Sequence, residues 1–97
     1  MKIKIRYSAL ARKDVLSIKT WTFRNFGPVK AKHYVRQIQQ SMDLVVENPG
    51  LARSADHLEP GLQRIESGSH VIYFRFTETS INIMRVLHGR QDAGNWL

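Results

Sequence analysis

A chain of 97 residues, 42% hydrophobic and without cysteine, is enough for one domain with one core, and it excludes a disulfide framework and any thiolate nucleophile. No apolar run approaches the ~20 residues of a membrane span, and the charged opening "MKIKIRYS" lacks the apolar stretch of a signal peptide. The formal net charge of +7 is unevenly spread: residues 1–40 hold ten basic residues and one acid, Asp14, whereas residues 41–97 hold five arginines and seven acids. A basic half points either to an anionic partner or to a solvated face that keeps a small protein soluble. A single cytoplasmic domain over residues 1–97 is the expectation.

The first element is a strand. In "KIKIRY" the residues Lys2, Lys4 and Arg6 alternate with Ile3, Ile5 and Tyr7, the period of a sheet with one buried face. Ser8 can then cap a helix, because its hydroxyl accepts from the free amides of a first turn. Ala11, Val15, Ile18 and Thr22 form the apolar stripe of that helix, flanked by Leu10, Trp21 and Phe26, and Gly27 ends it. Pro28 suits the first turn of a second helix, whose stripe is Ala31, Tyr34, Val35, Ile38, Met42 and Val45. Asn48-Pro49-Gly50 stops it.

Two helices joined so closely must fold back on each other as a hairpin. Residues 50–62 show no period and read as a connecting loop. Three strands follow: "QRIES", then "HVIYFRF" after Gly68-Ser69, then "INIMRVLH" after a polar quartet. The order β-α-α-β-β-β predicts an α+β fold, a mostly antiparallel four-stranded sheet with the N-terminal αα-hairpin packed on one face.

Laid out this way, the residues resemble the ParE-type toxins of the RelE/ParE toxin–antitoxin superfamily. The resemblance runs almost end to end. It rests on "YSALARKDVLSIKTWT", "FGPVKAKHYVRQI", "NPGLAR", "PGLQRI", "HVIYFRF" and "RVLHGRQD", in that order and spacing. Trp21 stands where a tyrosine is common, Phe26 where a tryptophan is, Ala52 where a glycine is, and Gln63 where an arginine is. The resemblance implies the toxin component of a type II toxin–antitoxin system. It implies non-catalytic inhibition of DNA gyrase and neutralisation by a ParD-type antitoxin, whose flexible C-terminal part wraps the toxin in a hetero-oligomer. The alternative it leaves open is a ribosome-dependent mRNA endoribonuclease of the RelE type.

RNA cleavage through the 2′-hydroxyl needs a general base, a general acid and cations around the phosphate. Tyr73, Arg75, Arg85, His88 and Arg90 supply those residue types. Residues 33–97 contain no lysine, however, and no carboxylate is spaced to orient His88. His88-Gly89-Arg90 reads equally as a strand terminator or as a docking element. No catalytic residue is therefore assigned. The surface expected to carry toxicity comprises Arg85, His88, Arg90, Trp96 and Leu97, the last two either tucked onto the core or exposed as an anchor. An antitoxin segment is expected in an apolar groove lined by Val29, Val35, Met42 and Val46. His33, His57 and His70 are scattered, without the helical spacing of a metal site, so neither metal nor cofactor is expected.

Overall fold

The computed structural model describes residues 2–97. Strand β1 (Lys4–Tyr7) leads into helix α1 (Ala9–Phe26) and helix α2 (Pro28–Glu47); a 3₁₀ turn (Pro49–Leu51) precedes strands β2 (Arg53–Ser54), β3 (Gln63–Ser67), β4 (His70–Phe76) and β5 (Ser80–His88), and a single turn, α3 (Ala93–Trp96), closes the described chain. Ser8 caps α1 as expected, its hydroxyl accepting from the Ala11 amide at 3.0 Å. Gly27, at φ +90°, both ends α1 and precedes α2, a backbone region closed to most side chains.

The sheet corrects the expected four-stranded arrangement. It has five strands in the order β1-β5-β4-β3-β2, and it is mixed: β1 lies parallel to β5 while the other pairs are antiparallel. A long crossover explains the parallel pair, because the whole helical hairpin lies between β1 and the strands. The fifth strand is β2, inside the segment read as a loop. Two residues carry no detectable period, and Arg53 and Ser54 join the sheet only by pairing with Arg64 and Gln63.

Between Tyr73 and Phe74 the register with β5 shifts: Tyr73 faces Arg85, Phe74 faces Ile83, and Met84 is the extra residue of a bulge. The bulge changes which face later residues occupy. Ile81 and Ile83 point to the helices, and strict alternation would send Arg85 after them. Instead Val86 joins Ile18, Ile38, Met42, Val45, Ile72, Phe74, Ile81 and Ile83 in the main core. On the opposite face a smaller cluster forms from Ala55, Leu62, Val71, Tyr73, Leu87 and Ala93, roofed by the 55–62 loop and α3.

The pairing of β1 stops at Tyr7 opposite Ile83, which leaves the rest of β5 with a free edge. Two side chains from the start of α1 satisfy it. Ser8 donates its hydroxyl to the Met84 carbonyl at 2.8 Å, and Asp14 accepts from the Val86 amide at 2.9 Å. Buried or half-buried backbone groups need such partners, and an exposed edge invites pairing with another chain.

Candidate functional site

Two surface features gather the residues singled out in the sequence. The first is the C-terminal segment. Asp14 binds Arg85 through two hydrogen bonds, Nε to Oδ2 and Nη2 to Oδ1, both 2.8 Å, and the two side chains are only 14% and 12% exposed. The Asp14 carboxylate raises the Arg85 pKa by accepting those bonds; burial opposes it and the nearby negative charge adds to it. Arg85 in turn donates to the Trp96 carbonyl at 2.5 Å and lies 5.9 Å from the Trp96 ring centroid. The guanidinium thus directs three of its five N–H donors inside the molecule. Trp96 and Leu97 remain 49% and 40% exposed.

His88-Gly89-Arg90 forms a turn built from local bonds. The His88 amide donates to the Gln91 side-chain carbonyl at 2.7 Å, and the Arg90 amide donates to His88 Nδ1 at 3.1 Å. Gly89 donates to the Ser69 carbonyl across the hairpin. Arg90 is exposed.

The second feature is a groove of about 740 Å³ between α1, α2 and the far end of the β4–β5 hairpin. Trp21 and Phe26, 60% and 56% exposed, stand edge to face at 5.8 Å on one side. Lys30 lies over the Phe26 ring, 5.4 Å from its centroid. At the sheet end, His70 and His88 are cross-strand partners with ring centroids 5.4 Å apart. The Tyr34 hydroxyl lies 2.6 Å from His70 Nδ1 and accepts from the Ser69 amide at 2.9 Å. Burial pushes the His70 pKa below its ordinary value, and His88 adds to that, with Asp14 partly offsetting both.

None of the four residues expected to line an apolar groove lines this one. Met42 is a correction: it is wholly enclosed in the core, so it offers no surface in the folded chain. Its stripe is shared with Ile38 and Val45, and a period alone does not say how deep each member sits. Val46 packs against the edge of that core, Val35 is half-buried, and Val29 is exposed. Sequence reasoning missed the partnership of His70 with His88 and Tyr34, because residues 36 positions apart meet only through the fold. Asp14 left a signal, being the one acid among the first forty residues. Among the described residues no group of three or more His, Asp or Glu is placed to hold a metal ion, and no helix is long and apolar enough to cross a membrane.

The family model described as the ParE toxin of the type II toxin–antitoxin system parDE matches residues 5–93. The chain belongs to the ParE toxin family. It is 32% identical over 94 residues to Toxin ParE1 of Mycobacterium tuberculosis, covering 96% of each chain. It is 33% identical over 88 residues to Toxin ParE1 of Caulobacter vibrioides, covering 91% of each. Among solved structures, the chromosomal ParDE toxin–antitoxin system from P. aeruginosa superposes with a TM-score of 0.74 at 18% identity, over 89% of this chain and 95% of that one. The toxin–antitoxin complex RelBE2 of Mycobacterium tuberculosis superposes at 0.64 with 15% identity, over 91% and 99%. These two likenesses show a shared α+β fold. In this ParE toxin, then, both the tail and the groove sit at the end of the sheet where β5 terminates.

Proposed function

We propose that this ParE-family toxin inhibits DNA gyrase without catalysing a reaction and is neutralised by a ParD-type antitoxin. One observation carries the non-catalytic part. Of the five residues that would serve RNA cleavage, three are committed elsewhere. Tyr73 is buried in the smaller core cluster, Arg75 pairs with Glu59 at 2.9 Å, and Arg85 pairs with Asp14. A phosphate on this face would have to compete with carboxylates already in place.

The proposed contact surface is Arg90, Trp96 and Leu97, with His88 shaping the turn and Arg85 setting the position of the tail. An exposed tryptophan on a braced segment is a good anchor, since its large area is buried at little entropic cost. Antitoxin binding is proposed along the helical hairpin, where Val29, Val35 and Val46 leave apolar area at or near the surface. The toxin acts in the cytoplasm, where gyrase and its DNA are.

One observation favours the ribosome-dependent nuclease as a second reading. His70 and His88 bring two imidazoles together, the residue type most used for general acid and base. The deciding experiment adds purified toxin to a gyrase supercoiling reaction and, separately, to a translating extract. Lost supercoiling or accumulated cleaved plasmid with intact mRNA is expected. Cut mRNA with untouched gyrase would establish the nuclease instead.

A further inference from the structure

The groove has a lining of one electrical character. Its walls are aromatic, its titratable members besides Tyr34 are Lys30, His33, His70 and His88, and no carboxylate lines it. Among the described residues the ion pairs are Arg75–Glu59 and Arg85–Asp14, so none of these four is paired internally. Apolar walls beside basic groups that no carboxylate of the chain partners fit an apolar segment that carries an acid.

The hydrogen bonds hold the two histidines differently. Arg90 N–H can only donate, so His88 Nδ1 must offer a lone pair, and its neutral ring carries hydrogen on Nε2. His70 is arranged differently. Its Nδ1 faces a hydroxyl, and that hydroxyl has a second acceptor in the Ser67 carbonyl at 3.4 Å. On protonation, Nδ1–H donates to the Tyr34 oxygen, and the Tyr34 hydrogen turns to Ser67, while the Ser69 amide keeps its acceptor.

We infer that the groove receives an apolar antitoxin segment that places a carboxylate beside His70 and His88, and that seating it loads a proton onto His70. The inference rests on the reading that the partner is an antitoxin. The groups facing His70 are Lys30, His33 and Tyr34 from α2, His88 from β5, and neutral Ser67 opposite it on β3; from α1, Asp14 acts on it but is already bound to Arg85. With the groove empty, burial and His88 hold His70 neutral. An adjacent carboxylate favours the charged ring and raises its pKa. Affinity therefore rises as pH falls through the raised value and levels off below the free one, by at most about tenfold per pH unit for one proton.

The test is isothermal titration of purified ParD-type antitoxin into the full chain between about pH 6 and about pH 8, the range where imidazole titrates. Buffers of different ionisation enthalpy count the protons. Uptake approaching one proton is expected, with binding several-fold tighter at the acid end. His70→Gln should bind with little pH dependence and no uptake. Should that variant unfold by circular dichroism, Tyr34→Phe replaces it; it removes the acceptor that protonated His70 needs and should cut the uptake. In a Trp96→Phe background Trp21 is the sole tryptophan, and its emission should shift as the groove fills. Binding without proton uptake, uptake that survives His70→Gln, or unchanged Trp21 emission at saturation would overturn the inference alone. No binding at any pH would remove the antitoxin reading and this inference together.

Discussion

Asp14 and Arg85, 71 positions apart in the chain, meet through two parallel 2.8 Å hydrogen bonds. The same carboxylate accepts the Val86 amide, and the same guanidinium holds the Trp96 carbonyl. One ion pair thus fastens α1, the free edge of β5 and the C-terminal turn. Breaking a largely buried pair from one side leaves an unpaired charge and costs roughly 3–5 kcal/mol. Arg85→Ala is expected to approach the lower figure, because the tail can swing away and hydrate Asp14. Asp14→Ala should cost at least as much, since Val86 N–H loses its acceptor too. Urea denaturation measures both; a loss below about 1 kcal/mol, the size of a surface pair, would mean the geometry contributes little.

The tail gives a functional prediction. Arg90→Ala and Trp96→Ala should each weaken gyrase inhibition by ~1–3 kcal/mol, the range for a good interface anchor, with melting behaviour preserved. Higher toxin doses should overcome the loss. His88→Ala should act less strongly. If His88→Ala abolished toxicity at every dose while the fold and target binding stayed intact, the histidine would be a chemical group.

Gly68 turns the β3–β4 hairpin at φ +59°, and a Cβ there would stand 2.7 Å from the Tyr34 hydroxyl. Gly68→Ala therefore meets both left-handed strain and a clash, together about 2 kcal/mol or more. Tyr34 must move, and with it the acceptor of the Ser69 amide and the partner of His70. Thermal melting and the His70 imidazole NMR shift should change together in this variant. A stability loss with an unmoved His70 signal would separate the turn from the groove.

Acidification should destabilise the free toxin. His70 titrates below its ordinary value in the folded chain, so the unfolded chain binds more protons as pH falls below about 6.5. The sign follows directly: stability is greatest above that pH and declines toward the lowered folded value, then levels off as far as His70 is concerned. Comparing denaturation midpoints of wild type and His70→Gln across that range checks it. A slope unchanged in the variant would assign the effect to other groups.

Much of this architecture was legible in the residues, and the exceptions have physical causes. Ser8, Gly27, Pro28 and Asn48-Pro49 act locally, so the two helices appear where their signals stand. The strands "HVIYFRF" and "INIMRVLH" declare themselves by composition. The parallel docking of β1 does not, because alternation in "KIKIRY" says which face is buried and nothing about which strand lies beside it. Arg85 did leave a trace of the bulge: a charge interrupts the Ile81, Ile83 alternation, and an extra residue restores it at Val86. The tail residues were identifiable as polar or aromatic groups past the last strand. The groove was not, since Trp21, Tyr34, His70 and His88 come from four elements and share no local pattern.

The parallel pairing of β1 with β5 also orders events during synthesis. Ser8 reaches its acceptor on Met84 across 76 positions, and β1 has no other strand beside it. A chain emerging at ~5–20 residues per second makes the helical hairpin seconds before β5 exists. Truncation after Thr79 should leave β1 unpaired and the hairpin open to proteolysis, whereas the full chain should resist. β5 must therefore be made before the sheet can close, and the surfaces proposed for target and antitoxin, which both draw on β5, come into being together.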